Sequence, residues 1–484
     1  AVLDYYGNAG AVWPGDIKAT LNMDSLMTDL IATNRKTAIL GMGATGLSVA
    51  RFLSSQDLPF VFADSRAEPP QLQEVKDHFP ETKVVLGDFD ADLLINMDRA
   101  VISPGISLNE PAIVAAREQG VELVGDLELF LEHAKAPVIA ITGSNGKSTV
   151  TTLLGEMAVA SGLSVGVGGN LGTPMLDLLN DELELYILEL SSFQLELLND
   201  SRGAIVALLN ISADHMDRYE GLPQYHAAKH RIFRGASKVV INREDVLTKP
   251  LISSQVSLSS FGLNQPDLGD FGILQGLEEG FLAYGIERLL PIADLALKGS
   301  HNIANGLAAL ALGYAADLPM QPMLECLKTF KGLSHRCENI AEIDGVLYID
   351  DSKGTNVGAT VAALNGLGVA GRKNLVLIAG GQAKDQDFAA LKPAAAKFVK
   401  QAYLFGADGD QIASVLDDVC ETMLVDSLDQ AVSLASSVAE PGDMVLLSPA
   451  CASFDMFSGF EERGRCFQQA VDSLKQSGGG QLCN

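Results

Sequence analysis

A five-residue apolar run, Val138-Ile-Ala-Ile-Thr142, meets a glycine turn, Gly143-Ser-Asn-Gly146-Lys147-Ser148-Thr149, and then a helical run from Val150 to Val159. A strand that delivers a glycine loop to a helix N-terminus is a unit of a parallel sheet covered by helices. The glycines let backbone N–H groups approach phosphate oxygens, and the helix end adds partial positive charge. Lys147 can reach terminal phosphates, and Ser148 can ligate Mg²⁺. The loop departs from the usual G-x-x-x-x-G-K-[ST] pattern, because Ile141 stands where its first glycine would be.

The same alternation of short β-type runs and helical patterns continues from Lys36 onward, so the class is α/β with mostly parallel sheets. Strands are expected at Thr37–Leu40, Pro59–Ala63, Ala100–Ile102, Val138–Ile141, Leu185–Glu189, Ala204–Leu209, Lys238–Ile241, Val346–Ile349, Leu375–Ala379, Ala402–Phe405 and Met444–Leu447. Three strand edges carry separate motif clusters, which suggests three nucleotide-fold-like modules at 35–125, 126–332 and 333–484. Between Leu251 and Lys298 the helical period lapses into Gly-punctuated pieces, expected as a small antiparallel addition to the middle module. Residues 1–34 form a tail expected to lie outside the fold.

With 34 basic against 61 acidic residues the chain carries −27, a field that repels nucleic-acid backbones and anionic lipid. Apolar runs such as Asn374 to Ala379 are far too short to span a bilayer. The six cysteines show no C-x-x-C pairing and read as reduced thiols, and no secretory signal pattern opens the chain. A cytoplasmic protein is expected, with neither nucleic acid nor membrane insertion, and a monomer.

Further down the middle module, Leu185-Tyr-Ile-Leu-Glu189 ends in a carboxylate placed to hold Mg²⁺ beside the phosphate loop. Ala204 to Asn210 leads into Ser212-Ala-Asp-His215-Met-Asp217-Arg218, and His215 at that strand mouth is a candidate second-metal ligand. Asn302 opens an apolar helix and reads by itself as an N-cap.

Thr142 to Thr149, Glu189-Leu-Ser-Ser-Phe-Gln194, Asn210 to Arg218 and His301-Asn302-Ile-Ala-Asn305 together resemble the central ATPase domain of the Mur ligases. The resemblance spans roughly Arg35 to Gln469 and implies a family of ATP-dependent amide-bond ligases. By it, Gly143, Asn145, Gly146, Lys147, Ser148 and Thr149 bind ATP, Asn302 and Asn305 contact adenine, and Lys229 is carbamylated by CO₂. An ammonium would repel a metal, whereas the carbamate is an anion able to ligate one. The implied metal ligands for two Mg²⁺ sites are Ser148, Glu189, His215 and Lys229, and the implied catalytic set is Lys147, His215, Lys229 and Arg336.

The outer modules narrow the resemblance. Gly41-Met-Gly43-Ala44-Thr45-Gly46 with Asp64 would by itself suggest NAD or FAD. In Mur ligases a similar loop receives a UDP-sugar diphosphate, and Asp64-Ser65-Arg66 is similar to the uracil-recognition segment of the D-glutamate-adding member. Gly43, Ala44, Thr45, Asp64, Ser65, Arg66, Ser103, Pro104, Gly105, Asn170 and Gln194 are accordingly expected to hold UDP-N-acetylmuramoyl-L-alanine.

In the last module, Gly332-Leu-Ser-His-Arg336 resembles an ATP-phosphate contact through Arg336. Asp350-Asp351-Ser352-Lys353-Gly354-Thr355-Asn356 resembles a D-S-K-A-T-N segment with Gly354 in place of Ala, a change expected to add backbone freedom. Asp351 and Lys353 join the ATP set. D-Glutamate carries two carboxylates, for which Lys384 and the hydroxyls of Thr355 and Ser453 are apt, with Phe454 and Phe460 beside them. Cys451 lies within this cluster but has no adjacent histidine base, so it reads as packing.

Three rivals are weighed on sequence, the weakest a non-catalytic ATP-binding regulator that would bind ATP and Mg²⁺ without substrate-stimulated turnover. Another ligase of the superfamily, such as a folylpolyglutamate synthase, would share the phosphate loop, and an NAD-dependent oxidoreductase would use Gly41, Gly43, Gly46 and Asp64.

Overall fold

The computed structural model describes residues 35–251, 256–276, 279–297, 299–383 and 386–478. The segment 1–34, expected to be a tail, and Lys384, expected to meet D-glutamate, lie outside the described residues.

Short runs rich in Val, Ile, Leu and Ala become strands because both of their faces are covered, and they fall into three sheets. The first contains β1 (Thr37–Leu40), β2 (Phe60–Asp64), β3 (Val84–Leu86), β4 (Arg99–Ile102) and β5 (Glu122–Val124). It is parallel throughout, in the order β3-β2-β1-β4-β5. The third glycine of the first loop is explained by packing, since a Cβ on Gly46 would come within 1.9 Å of the Gly41 carbonyl oxygen. This sheet and its helices make one compact unit up to Asp126, and Leu127–Asn484 makes a second.

The second unit holds two sheets. One has β6 (Val138–Thr142), β7 (Val165–Gly169), β8 (Leu185–Glu189), β9 (Ile205–Leu208) and β10 (Lys238–Asn242), then β11 (Ser257–Phe261), β12 (Phe271–Gln275), β13 (Gly280–Tyr284) and β14 (Glu287–Pro291). Their order is β14-β13-β12-β11-β10-β9-β6-β8-β7. β11 pairs parallel to β10, so only β12, β13 and β14 form the antiparallel addition expected for the whole stretch, and they extend the main sheet. The helix Lys147–Ala160 packs on helices Ser300–Ala315 and Met320–Thr329. Gly313 gives room where helices Ser300–Ala315 and Met320–Thr329 meet, because a Cβ there would crowd the Met323 sulfur.

The other sheet contains β15 (Glu338–Ile343), β16 (Val346–Asp350), β17 (Leu375–Gly380), β18 (Val399–Phe405), β19 (Glu421–Leu424) and β20 (Met444–Leu447), in the order β15-β16-β20-β17-β18-β19. All pairings are parallel except β15 with β16. That hairpin turns at Asp344 and Gly345, both left-handed at φ 51° and 78°, the conformation a two-residue Asp-Gly turn requires. Helix Val357–Leu367 of this layer packs on helix Ser300–Ala315 of the preceding one, joining the two sheets of the unit.

Candidate active site

β6 is buried along its whole length and ends at Thr142, so the chain must turn into the helix Lys147–Ala160 within four residues. Gly146 makes this turn at φ 82° as the helix N-cap, and a Cβ on it would meet the Asn305 Oδ1 at 2.5 Å. The loop is braced from β9: Asn145 N donates to Asn210 Oδ1 at 2.8 Å, and Asn210 Nδ2 donates to the Asn145 carbonyl at 3.0 Å. Ser144 Oγ donates to the Ser212 carbonyl at 2.9 Å. Lys147 Nζ turns back on its own loop and donates to the carbonyls of Gly143 and Ser144 at 2.8 and 3.0 Å.

Two neighbouring cavities lie beside this loop. The larger, about 330 Å³, is lined by Gly146, Thr149, Phe261, Leu297, Asn302 and Asn305 from the middle sheet's side and by Arg336, Asp351 and Lys353 from the other. His301 also lines it, and its Nδ1 is buried without a hydrogen-bond partner among the described residues. The second, about 270 Å³, is polar and contains Lys147, Ser148, Glu189, His215, Lys229 and Thr355. Asn145, Gly146, Arg336 and Lys353 border both.

Glu189 ends β8 inside the polar cavity and is 3% exposed. Burial pushes its carboxyl up, but the Lys147 charge and hydrogen bonds from Ser148 and Asn170 hold it below the usual carboxylate range. Ser148 Oγ donates to Glu189 Oε2 at 2.5 Å, Asn170 Nδ2 donates to Oε1 at 2.7 Å, and Arg336 Nη2 reaches Ser148 Oγ at 2.6 Å. An ionised, buried carboxylate beside a hydroxyl is a hard-oxygen donor set that suits Mg²⁺.

His215 adopts a left-handed backbone at φ 57°, a strained conformation for a non-glycine residue. Its ring sits 4.8 Å from Phe193, and Asp214 Oδ1 accepts from its backbone N–H at 2.9 Å.

Lys229 is only 1% exposed. Its Nζ donates to the Gly143 carbonyl at 2.9 Å and to Thr142 Oγ1 at 3.3 Å, and lies 4.8 Å from the centre of the Tyr225 ring. Burial, reinforced by Lys147, drives its pKa well below the ordinary lysine value, against the pull of Asp214 and Glu189. Lowering a lysine's pKa favours the neutral amine, the form that adds to CO₂.

The third sheet contributes cations and hydroxyls. Burial, with Arg336 and Lys147 nearby, brings Lys353 down to about 8. Asp351 is pushed up to about 7 by burial, although Ser448, the Cys337 N–H and Arg336 all favour its anion. Lys353 Nζ sits 4.0 Å from the centre of the Phe460 ring. Gly354 does not use a left-handed backbone; what it provides is room, because a Cβ there would come 2.5 Å from Asp351 Oδ2. Ser453 is buried, whereas Phe454 is 72% exposed, and neither lines the two cavities.

In the first unit, Asp64 is 2% exposed and already engaged. Its carboxylate accepts from the Met42 N–H at 2.6 Å and from Arg66 Nε and Nη2 at 2.8 and 2.7 Å, tying the glycine loop to the end of β2. A Cβ on Gly41 would crowd Ser103 Oγ at 2.8 Å, so the loop and the Ser103-Pro104-Gly105 turn are neighbours. Gln194, expected to meet substrate, closes a capping box with Ser191 on helix Ser192–Leu195.

Sequence reasoning passed over Asp214, Tyr225 and His301, each within one to four residues of a residue it chose. Asp214 and Tyr225 line the polar cavity and His301 the larger one. Asp214 was legible as the carboxylate beside His215 at a strand mouth. A second cluster, His335, Glu338 and Asp350, gathers three potential metal ligands. Its oxygens accept instead from protein donors: Asp350 from His335 Nδ1, Gln468 Nε2 and the Ser352 N–H, and Glu338 from the His335 N–H. It fixes the turn that carries Arg336.

Three family descriptions match the chain in succession: "Mur ligase MurD-like, N-terminal domain" over residues 35–125, "Mur ligase middle domain" over 141–313 and "Mur ligase, glutamate ligase domain" over 335–451. UDP-N-acetylmuramoylalanine–D-glutamate ligase of Pseudomonas savastanoi pv. phaseolicola is 52% identical over 92% of this chain and 99% of the relative. The protein of that name from Hahella chejuensis is 48% identical over 92% of this chain and all of the relative. Among solved structures, a UDP-N-acetylmuramate–alanine ligase from Thermotoga maritima aligns at TM-score 0.56 and 21% identity, over 91% of this chain and 100% of that one. The chain belongs to the Mur ligase family of ATP-dependent ligases.

Proposed function

We propose that this protein joins D-glutamate to UDP-N-acetylmuramoyl-L-alanine with hydrolysis of ATP to ADP and phosphate, in peptidoglycan precursor synthesis. The observation that carries the reading is the meeting of Lys147, Glu189, Lys229, Arg336, Lys353 and Thr355 around one polar cavity that shares Arg336 and Lys353 with a less polar neighbour. The larger cavity suits adenine and ribose, with Asn302 and Asn305 at its wall, and the polar one suits phosphates and the reacting carboxylate.

A carboxylate does not condense with an amine unaided, since its oxygen leaves poorly. In this reading the L-alanyl carboxylate attacks the γ-phosphorus of ATP, ADP leaves, and an acyl phosphate forms. Lys147 exchanges its loop carbonyls for phosphate oxygens, and Arg336 and Lys353 neutralise charge developing on the transferred group. The D-glutamate amine then attacks the acyl carbon and phosphate departs. Ser148 and Glu189 would hold one Mg²⁺, and His215 with carbamylated Lys229 a second, supplying further neutralisation of the phosphates. Contact between the two layers of the second unit keeps water from the acyl phosphate.

Gly43, Ala44, Thr45, Asp64, Ser65, Arg66 and Ser103 to Gly105 are assigned to the UDP-sugar. Asp64 acts there through the loop and Arg66 that it holds. Asn170 and Gln194 complete the set from the middle layer. Thr355, Lys384, Ser453 and Phe460 are assigned to D-glutamate, supported by Thr355 in the polar cavity and by Phe460 against Lys353. The exposed Phe454 gains no support from its placement. The domain boundaries 35–125, 126–332 and 333–484, a cytoplasmic location and a monomeric state belong to the same reading; no described helix is long and apolar enough to cross a membrane.

Phosphate release from ATP with UDP-N-acetylmuramoyl-L-alanine tests it. D-Glutamate is expected to stimulate release and L-glutamate to leave it at background. Stimulation by another amino acid, with none by D-glutamate, would overturn the substrate assignment.

A further inference from the structure

Asn356 lies at the end of the Asp351–Thr355 loop and is 4% exposed. The two ends of its side-chain amide do different things. Oδ1 accepts from the Ala359 N–H at 2.8 Å and caps the helix Val357–Leu367. Nδ2 crosses to the middle layer, donating to Asp214 Oδ2 at 3.1 Å and approaching Asn145 Oδ1 at 3.3 Å. Asn145 belongs to the phosphate loop, and Asp214 precedes His215. One amide therefore fastens the start of a helix in the last layer to two separate catalytic segments of the middle one.

Packing at the same point is close. A Cβ on Gly358, the second residue of that helix, would lie 2.6 Å from Ser212 Oγ and 3.3 Å from Asn145 Nδ2. The helix start is thus seated on the phosphate-loop brace with no space for a methyl group. Its chemistry explains why asparagine stands here. Serine and aspartate cap helices about as well, but serine has one short hydroxyl in place of the amide's separate oxygen and nitrogen, and aspartate has no donor and would set a second carboxylate against Asp214.

We infer that Asn356 is a positioning residue, a latch that holds the last layer against the phosphate loop so that Arg336, Lys353 and Thr355 face the polar cavity. The inference rests on the reading of that cavity as the ATP site, and its test separates the two. The full-length protein is compared with Asn356→Ser, Asn356→Asp and Gly358→Ala. Hydrogen exchange is followed without nucleotide, and binding of Mg²⁺ with a non-hydrolysable ATP analogue is measured by calorimetry.

Thermal unfolding of the Ser variant should stay within about 2 °C of the parent, because the cap is kept, whereas the Asp variant, with two carboxylates buried together, should unfold at a lower temperature. Exchange at residues 143–149 should nevertheless rise in both. Analogue affinity should fall about tenfold in Asn356→Ser, the scale of a lost hydrogen bond to a charged group, and further in Asn356→Asp. Gly358→Ala should weaken binding too, although alanine is the better helix former. A helix cap alone would not produce the difference between Ser and Asp.

Unchanged exchange at 143–149 in Asn356→Ser, equal affinities for the Ser and Asp variants, or failure of Asn356→Ser to fold would each overturn the latch. A parent that exchanges as expected but does not bind the analogue would instead overturn the ATP-site reading.

Discussion

Lys353 borders both cavities, and its lowered pKa of about 8 makes it a proton reporter for nucleotide binding. At pH 8 the site is half-protonated, and a bound triphosphate favours the ammonium. ATP-analogue binding should therefore take up roughly half a proton at that pH. Calorimetry in two buffers of different ionisation enthalpy would measure it, and Lys353→Arg, charged throughout, should abolish the uptake. The stability effect has the opposite sense to a salt-bridged lysine. Between pH 8 and the ordinary lysine value the unfolded chain holds a proton that the folded one lacks, so stability rises with pH across that window and the burden is full below it. Lys147, Ser148 and Glu189 were legible from sequence because strand, loop and helix are contiguous there. The depressed pKa of Lys229 was not, since its burial depends on Tyr225 one helical turn away and on β6, more than eighty positions earlier.

At the scale of elements, sequence patterns succeeded where strands are continuously apolar and almost wholly buried, as in β1, β6, β8 and β20. They failed at β7, whose sequence Val-Gly-Val-Gly-Gly reads as a loop. The glycines there serve close approach, since a Cβ on Gly168 would lie 2.4 Å from the Thr173 carbonyl oxygen. β15 escaped notice although Asp344-Gly345 is a strong hairpin signal, because its half-exposed residues lack an apolar run. The phosphate loop offers a test of element geometry. Gly146→Ala must place an alanine at φ 82° and push its methyl against Asn305. The left-handed backbone alone costs about 1–2 kcal/mol, so a Tm lowered by roughly 2–5 °C is expected. Calorimetry should also show ATP-analogue binding weakened by about tenfold or more, since both the loop and the adenine-side asparagine move. Normal binding by this variant would mean that the loop does not need its present shape.

The chain divides at Asp126, and this division separates most of the residues assigned to the sugar nucleotide from those assigned to ATP. Every residue lining the two cavities falls in the second unit, whereas the glycine loop with Asp64, Arg66 and Ser103 falls in the first. Three motif clusters were visible in the sequence, but the pairing of the second and third was not. That pairing rests on contacts such as Arg336 with Ser148, which are 188 positions apart. A fragment beginning at Gly125 retains the helix Asp126–His133, whose Phe130 packs edge-on against Tyr186 at 5.0 Å. It should fold and bind Mg²⁺ with the ATP analogue within about threefold of the full chain, because no nucleotide contact is removed. The same fragment should release no phosphate in response to UDP-N-acetylmuramoyl-L-alanine, having lost the loop assigned to its diphosphate. Adding the sugar nucleotide to a calorimetry cell checks that arm directly: heat of binding to the full chain, and none to the fragment, is the expected pair. A fragment that folds but has lost the analogue would show that the first unit shapes the nucleotide site, and one that still turns over would move the sugar nucleotide out of the glycine loop.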